Sequence, residues 1–166
     1  MNLPGNPSNP QIRLAVSAEA ASIAAVLHQA FVEYVSLYTP EAFAATTPTT
    51  EYLQKRWGEG PVWVAVHNDL IVGTVGAVPK GEALYVRSMA LLPAARGQGI
   101  GRLLLEQIER FAHERGDRQL FLSTTPFLIR AIRLYEQFGF QQSSDGPHDL
   151  FGTPLFTMVK ILRLAD

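Results

Sequence analysis

Arg96-Gly97-Gln98-Gly99-Ile100-Gly101 stands between an apolar run, Ala83 to Leu92, and an amphipathic run, Arg102 to Arg115. That order reads as strand, glycine-rich turn, helix. Three glycines in six residues let the backbone approach a ligand with no Cβ in the way. The helix that follows offers unpaired N–H groups and the positive end of its dipole. Together these make a seat for an anionic group, most often a phosphate. The turn is not a nucleotide-triphosphatase loop, because Gly101 is followed by Arg102 and no Gly-Lys-Ser/Thr occurs. It is not a dinucleotide fingerprint either, since the third glycine and the acidic residue at a second strand end are missing. Taken alone, it is equally consistent with a tight strand-to-helix turn.

Upstream, Val62 to Val66 and Leu70 to Val78 read as strands joined by a hairpin at His67-Asn68-Asp69. Lys80-Gly81 turns the chain into a third strand, Glu82 to Leu91. Downstream, the helix after the glycines buries Ile100, Leu104, Ile108, Phe111 and Ala112. Its other face carries Arg102, Glu106 and Arg110 at ion-pair spacing. Gly116 ends it. Gln119 to Thr125 is the next strand, parallel to the third hairpin strand if the crossover is right-handed. Ile129 to Phe138 is a helix with Gly139 just past its end. A loop, Ser143 to Pro154, leads to a last strand, Phe156 to Leu164.

Toward the N-terminus, Ile12 to Val16 alternates as a strand, with Ile12, Leu14 and Val16 on one face. Ser17 caps a helix reaching about Val35, with Glu19 in its first turn. Tyr38 to Thr50 is expected to be loop, and Glu51 to Trp57 a short helix capped by Thr50. Residues 1–10, with three prolines and a glycine, read as a flexible arm. Residues 11–166 then form one α/β domain, a length that suits a single core. Its sheet is mixed and mostly antiparallel, with helices on both faces.

Fourteen Lys and Arg against 15 Asp and Glu leave a formal charge of −1, which gives no electrostatic reason to expect nucleic acid or an acidic membrane as partner. No cysteine is present, so disulfides, Cys-ligated zinc and a cysteine nucleophile are excluded. The histidines, His28, His67, His113 and His148, lack metal-ligand spacing, and no metal is expected. No apolar run reads as a membrane span. The N-terminus lacks a signal layout, so a cytoplasmic location is expected.

Met89 to Gly101, a strand end followed by Pro93 and then Arg96-x-x-Gly99-x-Gly101, resembles the signature of the GCN5-related N-acetyltransferase (GNAT) superfamily. Ala131-Ile132-Arg133-Leu134-Tyr135-Glu136-Gln137-Phe138-Gly139-Phe140 is similar to that family's second segment, a short helix with a tyrosine closing on Gly-Phe. The likeness spans Ile12 to Leu164. It implies a central pair of parallel strands that splay apart, with acetyl-CoA in the resulting V. By this resemblance the amides from Gly97 or Gln98 through Arg102, across Gly99, Ile100 and Gly101, hold the CoA pyrophosphate. Arg96 and Arg102 add charge. Met89, Ala90 and Leu91 pair through their backbone with the pantetheine arm, and an amide near Leu91 polarises the acetyl carbonyl.

Tyr135 is the implied general acid toward the leaving thiolate, although Ile132, Tyr135 and Phe138 would equally share a core face. Glu82 is the first candidate base, with Glu33, Glu51, His67 and His148 as others. One departure stands out. Many members carry an Asn where this chain has Leu128; Ser123, Thr124 and Thr125 are alternative polar contacts. The acceptor implied is a primary amine of a small molecule or peptide N-terminus, met by Phe31, Tyr34, Tyr38 and His148, with Phe43, Tyr52 and Phe151 nearby. Transfer would be direct, since no cysteine can carry the acetyl group. A homodimer through the terminal strands is compatible with the resemblance. A non-catalytic CoA-binding sensory or interaction domain on the same fold is the alternative.

Overall fold

The computed structural model describes residues 9–163, so most of the expected N-terminal arm lies outside the described residues. Strands β2 (Val62–His67), β3 (Leu70–Lys80) and β4 (Ala83–Leu91) form the antiparallel meander expected from their alternation. The β2–β3 turn needs only Asn68 and Asp69, at φ 51° and 63°. Such left-handed pairs favour Asn and Asp, and they match the twist of a two-residue hairpin. β1 (Gln11–Leu14) borders β2, and β5 (Gln119–Thr124) runs parallel to β4. β8 (Thr153–Ile161) lies antiparallel to β5. The order across the sheet is β1-β2-β3-β4-β5-β8-β6, with β6 at Gln141–Gln142 and β7, His148–Leu150, also paired to β8.

Two apolar cores sandwich this sheet. On one face, α4 (Ile100–Arg115) and α5 (Ile129–Phe138) cover Trp63, Val75, Leu84, Leu120 and Met158. On the other, α1 (Ala20–Phe31) lays Ile23, Val26, Leu27 and Ala30 over Val64 and Ala90, with Leu53 of α3 (Thr50–Lys55) beside them. Strand residues therefore alternate between two buried faces, which is why β2 and β3 are apolar at nearly every position. Burying a side chain such as Ile108, fully enclosed under α4, contributes about 1.5–3 kcal/mol.

The structure departs from the sequence expectations at several points. The expected long first helix is three pieces: a 3-10 turn at Ser17–Glu19, α1, and a second 3-10 stretch at Val32–Leu37. The start is capped by the Glu19 carboxylate, which accepts from the Val16 amide at 3.0 Å, and not by Ser17. Glu19 also takes Arg13, and the two contacts hold its pKa down at about 2. Within the stretch expected as loop, α2 (Pro40–Thr46) forms because Thr39 caps it and Pro40 suits its first turn. Thr49, not Thr50, caps α3 through Tyr52 N at 3.2 Å. Leu14 and Val16 are exposed, since β1 is an edge strand covered for only part of its length. Ser17–Leu37, 21 helical residues, is long and apolar enough to cross a bilayer by length and composition. One face of it is nonetheless spent on the sheet core. The last strand is not an edge either: β8 pairs with β5 on one side and with the short β6 and β7 besides, leaving β1, β6 and β7 as the edges among the described residues.

Candidate active site

β4 and β5 pair only at Ala83–Tyr85 with Gln119–Phe121. Beyond that point β4 continues to Leu91 and β5 to Thr124 without pairing each other, and the strands open into a V. A β-bulge lies in β4 along this opening. Val75 of β3 faces both Ser88 and Met89, and Ser88 takes φ 51°, a left-handed conformation unusual for a residue with a Cβ.

Two cavities occupy the V and adjoin. The larger, about 530 Å³, runs from the glycine turn along the end of β4 to α5. The smaller, about 240 Å³, lies toward α2, α3 and the end of β5. Phe31, Met89, Leu128 and Tyr135 line both, so they form the wall at which the cavities meet.

The larger cavity has an anion seat at one end. Gly97 and Gly99 adopt φ 76° and 80°, and a Cβ at either would meet open space, where a ligand would lie. Gly99 caps α4, and the Leu103 amide is bonded back to Gly99 O at 3.2 Å. The amides of Ile100, Gly101 and Arg102 precede that first bond and have no acceptor within the helix. At Gly101 a Cβ would stand 2.7 Å from Leu134 Cδ2, so glycine lets α5 close against the start of α4. Backbone N–H groups, open space and a helix dipole are the donor set a diphosphate requires, and these residues fit one.

Of the residues expected at this seat, Met89, Ala90, Leu91, Arg96, Gly97, Gly99, Ile100, Gly101 and Arg102 line the cavity. Gln98 does not; its side chain turns back to Ala94 O at 3.1 Å. Arg96 is tied to the end of α1, ion-paired with Glu33 and donating to Ala30 O. Arg102 forms the expected pair with Glu106 at 3.1 Å. Both arginines thus arrive with part of their charge already matched.

Tyr135 is buried at the junction, edge-on to Phe140 at 5.8 Å. Burial pushes its phenol pKa above the ordinary value, with Tyr38 adding to the effect. The hydroxyl therefore stays protonated. Phe31 faces both cavities and Tyr38 faces the smaller one, packed edge-on to Phe127 at 4.8 Å. Tyr34 lines the larger cavity, on the cofactor side rather than the acceptor side.

Glu82 lies elsewhere. It precedes the paired start of β4, at the opposite end of the strand from the V, and faces Arg118 at 3.4 Å. His148 is exposed on β7 and lines neither cavity; its nearest ionic neighbour is Asp145 at 3.7 Å. Phe151 is exposed as well. Among the described residues no Asp, Glu or His lines either cavity, so none of the expected bases reaches the junction directly.

Sequence reasoning passed over Arg56 and Ser88 in the polar lining of the smaller cavity. Arg56, just past α3, donates from Nη2 to Ser88 Oγ at 2.7 Å. Thr124 and Thr125, at the end of β5, are buried there with hydroxyls that have no hydrogen-bond partner. Thr125 faces the Tyr38 phenol, but its geometry falls short of a hydrogen bond. These threonines were expected as stand-ins at the cofactor; they line the other cavity. No local pattern marks Arg56, because α3 and the bulge meet only in the folded chain.

A splayed parallel pair, a glycine turn at a helix start and a tyrosine at the mouth between two chambers define the N-acetyltransferase fold class. The match to the Acetyltransferase (GNAT) family covers residues 29–140, and the chain belongs to that family. It is 29% identical over 141 residues to the uncharacterized N-acetyltransferase YjgM of Escherichia coli, covering 81% of this chain and 84% of that one. It is 37% identical over 101 residues to rat N-acetyltransferase 8B, covering 57% of this chain but only 45% of that longer protein. The PaiA N-acetyltransferase of Thermoplasma acidophilum, solved in complex with coenzyme A, superposes with a TM-score of 0.79 at 17% identity, over 93% of this chain and 100% of that one.

Proposed function

We propose that this protein transfers an acetyl group from acetyl-CoA to a primary amine, on a small molecule or a peptide or protein N-terminus, within a ternary complex. The observation that carries the reading is the meeting of two cavities at Tyr135 and Met89, one ending in the glycine seat and the other lined by polar side chains. The Thermoplasma relative's coenzyme A complex supports the choice of donor.

Acetyl-CoA, when bound, supplies an acetyl group activated as a thioester. The amides of residues 97–102 hold its diphosphate. The edge of β4 that faces β5 is unpaired beyond Tyr85, so the Met89–Leu91 backbone is available to a strand-like arm. An amide at this strand end donates to the carbonyl oxygen as negative charge develops there.

Tyr135 keeps its proton and donates it as a hydrogen bond where the sulfur leaves. Thiols have pKa values of about 8.5 and unperturbed phenols about 10. Full proton transfer from a phenol raised further by burial is uphill, so stabilising the thiolate is the larger part of its role. On the acceptor side the amine gives its proton to water, because no carboxylate or imidazole among the described residues lines the cavity. The Thr124 and Thr125 hydroxyls stand where they can relay it. The test is acetyl-CoA turnover over a panel of primary amines. Amine-dependent CoA release supports the reading; acetyl-CoA binding with no transfer to any amine favours a CoA-binding sensory domain.

A further inference from the structure

Arg56 lines the smaller cavity half-buried, and no Asp or Glu among the described residues forms an ion pair with it. The nearest candidate, Glu59, is taken by Arg87 at 2.6 Å. Burial, and then the charge of Arg87, push the Arg56 pKa below its ordinary value. The cavity therefore holds a partly dry positive charge with no carboxylate bonded to it, offset by Glu59 at a distance and by the Tyr52 ring at 5.6 Å, an arrangement that an arriving anion would relieve. One of the five guanidinium N–H donors is used on Ser88, and the fork keeps others for a bidentate partner.

Position makes this more than a stray charge. Ser88 is the bulge residue in the left-handed conformation and directly precedes Met89 at the junction. With the 2.7 Å bond to Ser88, the guanidinium lies within about 9 Å of the Met89 Cα. A backbone forced into that region is strained, and such strain gathers at functional sites. The Thr124 and Thr125 hydroxyls are buried in the same cavity without a hydrogen bond, and of the two only Thr125 has the Tyr38 phenol close by. Phe31, Tyr38, Leu122, Leu128, Leu150 and Leu155 supply the apolar part of the wall, and its other polar members are Thr46, Ser123 and Arg87, the last already paired with Glu59.

We propose that the acceptor is a free amino acid with an apolar side chain, its carboxylate received by Arg56 as positioned by Ser88 and its amine presented to the junction near Thr124. This rests on the acetyltransferase reading and narrows it. A peptide N-terminus, whose carboxyl is tied up as an amide, is the poorer acceptor. The about 240 Å³ cavity suits one such amino acid.

The experiment compares leucine with leucine amide as acceptors at fixed acetyl-CoA, in wild type and Arg56→Gln. Alongside, calorimetry follows acetyl-CoA, and follows N-acetyl-leucine and its methylamide in the presence of CoA. Wild type is expected to favour the acid on the order of tenfold to a hundredfold in kcat/KM and in product affinity. Arg56→Gln should erase that preference and leave acetyl-CoA affinity unchanged. Equal use of acid and amide by wild type, a preference that survives Arg56→Gln, or no affinity for N-acetyl-leucine beside bound CoA would each overturn the proposal. Failure of the acetyltransferase reading itself looks different: acetyl-CoA does not bind, or no amine in any form is acetylated.

Discussion

The two cavities are made of different material. The larger is built from backbone: amides at 97–102, two left-handed glycines, and a strand edge left bare by splaying. The smaller is built from side chains brought from α2, the end of α3, β4 and β5, and what distinguishes it is the carboxylate-free Arg56 beside the buried Thr124 and Thr125. A backbone site tolerates many side chains so long as glycine stays where φ is positive. A side-chain site changes with every substitution. One half of the V therefore serves a ligand of fixed shape and the other is free to specialise, and substitutions should separate the two.

The largest separation is expected at their boundary. Tyr135→Phe removes only the hydroxyl and keeps the ring against Phe140, so kcat should fall on the order of a hundredfold with acetyl-CoA affinity unchanged. A fall in affinity of the same size would place Tyr135 in the cofactor half. The pH profile comes next. An alkyl amine has a pKa of about 10, so without a protein base kcat/KM should rise about tenfold per pH unit through pH 8. A plateau above pH 7 would show a base that the geometry does not reveal.

Smaller effects bear on the acceptor half and on the scaffold. Thr124→Val removes a buried hydroxyl that has no partner, so the free protein should gain about 1 kcal/mol in chemical denaturation while the acceptor KM rises. Loss of stability would mean the hydroxyl already has a partner. Glu19→Ala tests the scaffold far from both cavities. The pKa of Glu19 is depressed, so its contribution is present above its unfolded value and lost as pH falls. The variant should cost about 0.5–1 kcal/mol at pH 7, and the difference should vanish between about pH 4.3 and pH 2. Turnover should not change.

The same division explains what the sequence showed. Strand alternation, the Asn68-Asp69 turn and Gly116 and Gly139 as helix ends are local signals, and the meander, α4 and α5 followed from them. The glycine seat was legible because its chemistry lies in consecutive residues. Arg56 meets Ser88 across 32 positions, and Ser88 is special only for a backbone angle that serine does not announce. Glu82 looked suitable because it reads as the start of the third hairpin strand, but it lies in the turn just before β4, at the paired end of the strand and not at the open one. α2 was hidden by prolines and threonines that read as loop until Thr39 is seen as a cap.

The most direct test of the account is calorimetric titration of acetyl-CoA into wild type and Gly99→Trp. At φ 80° a bulky residue is strained and fills the space where the diphosphate would lie, while far-ultraviolet dichroism reports whether the fold survives. The account expects saturable binding to wild type and a loss of at least about a hundredfold in a folded variant. Equal affinity in both proteins, or none in wild type, would contradict it.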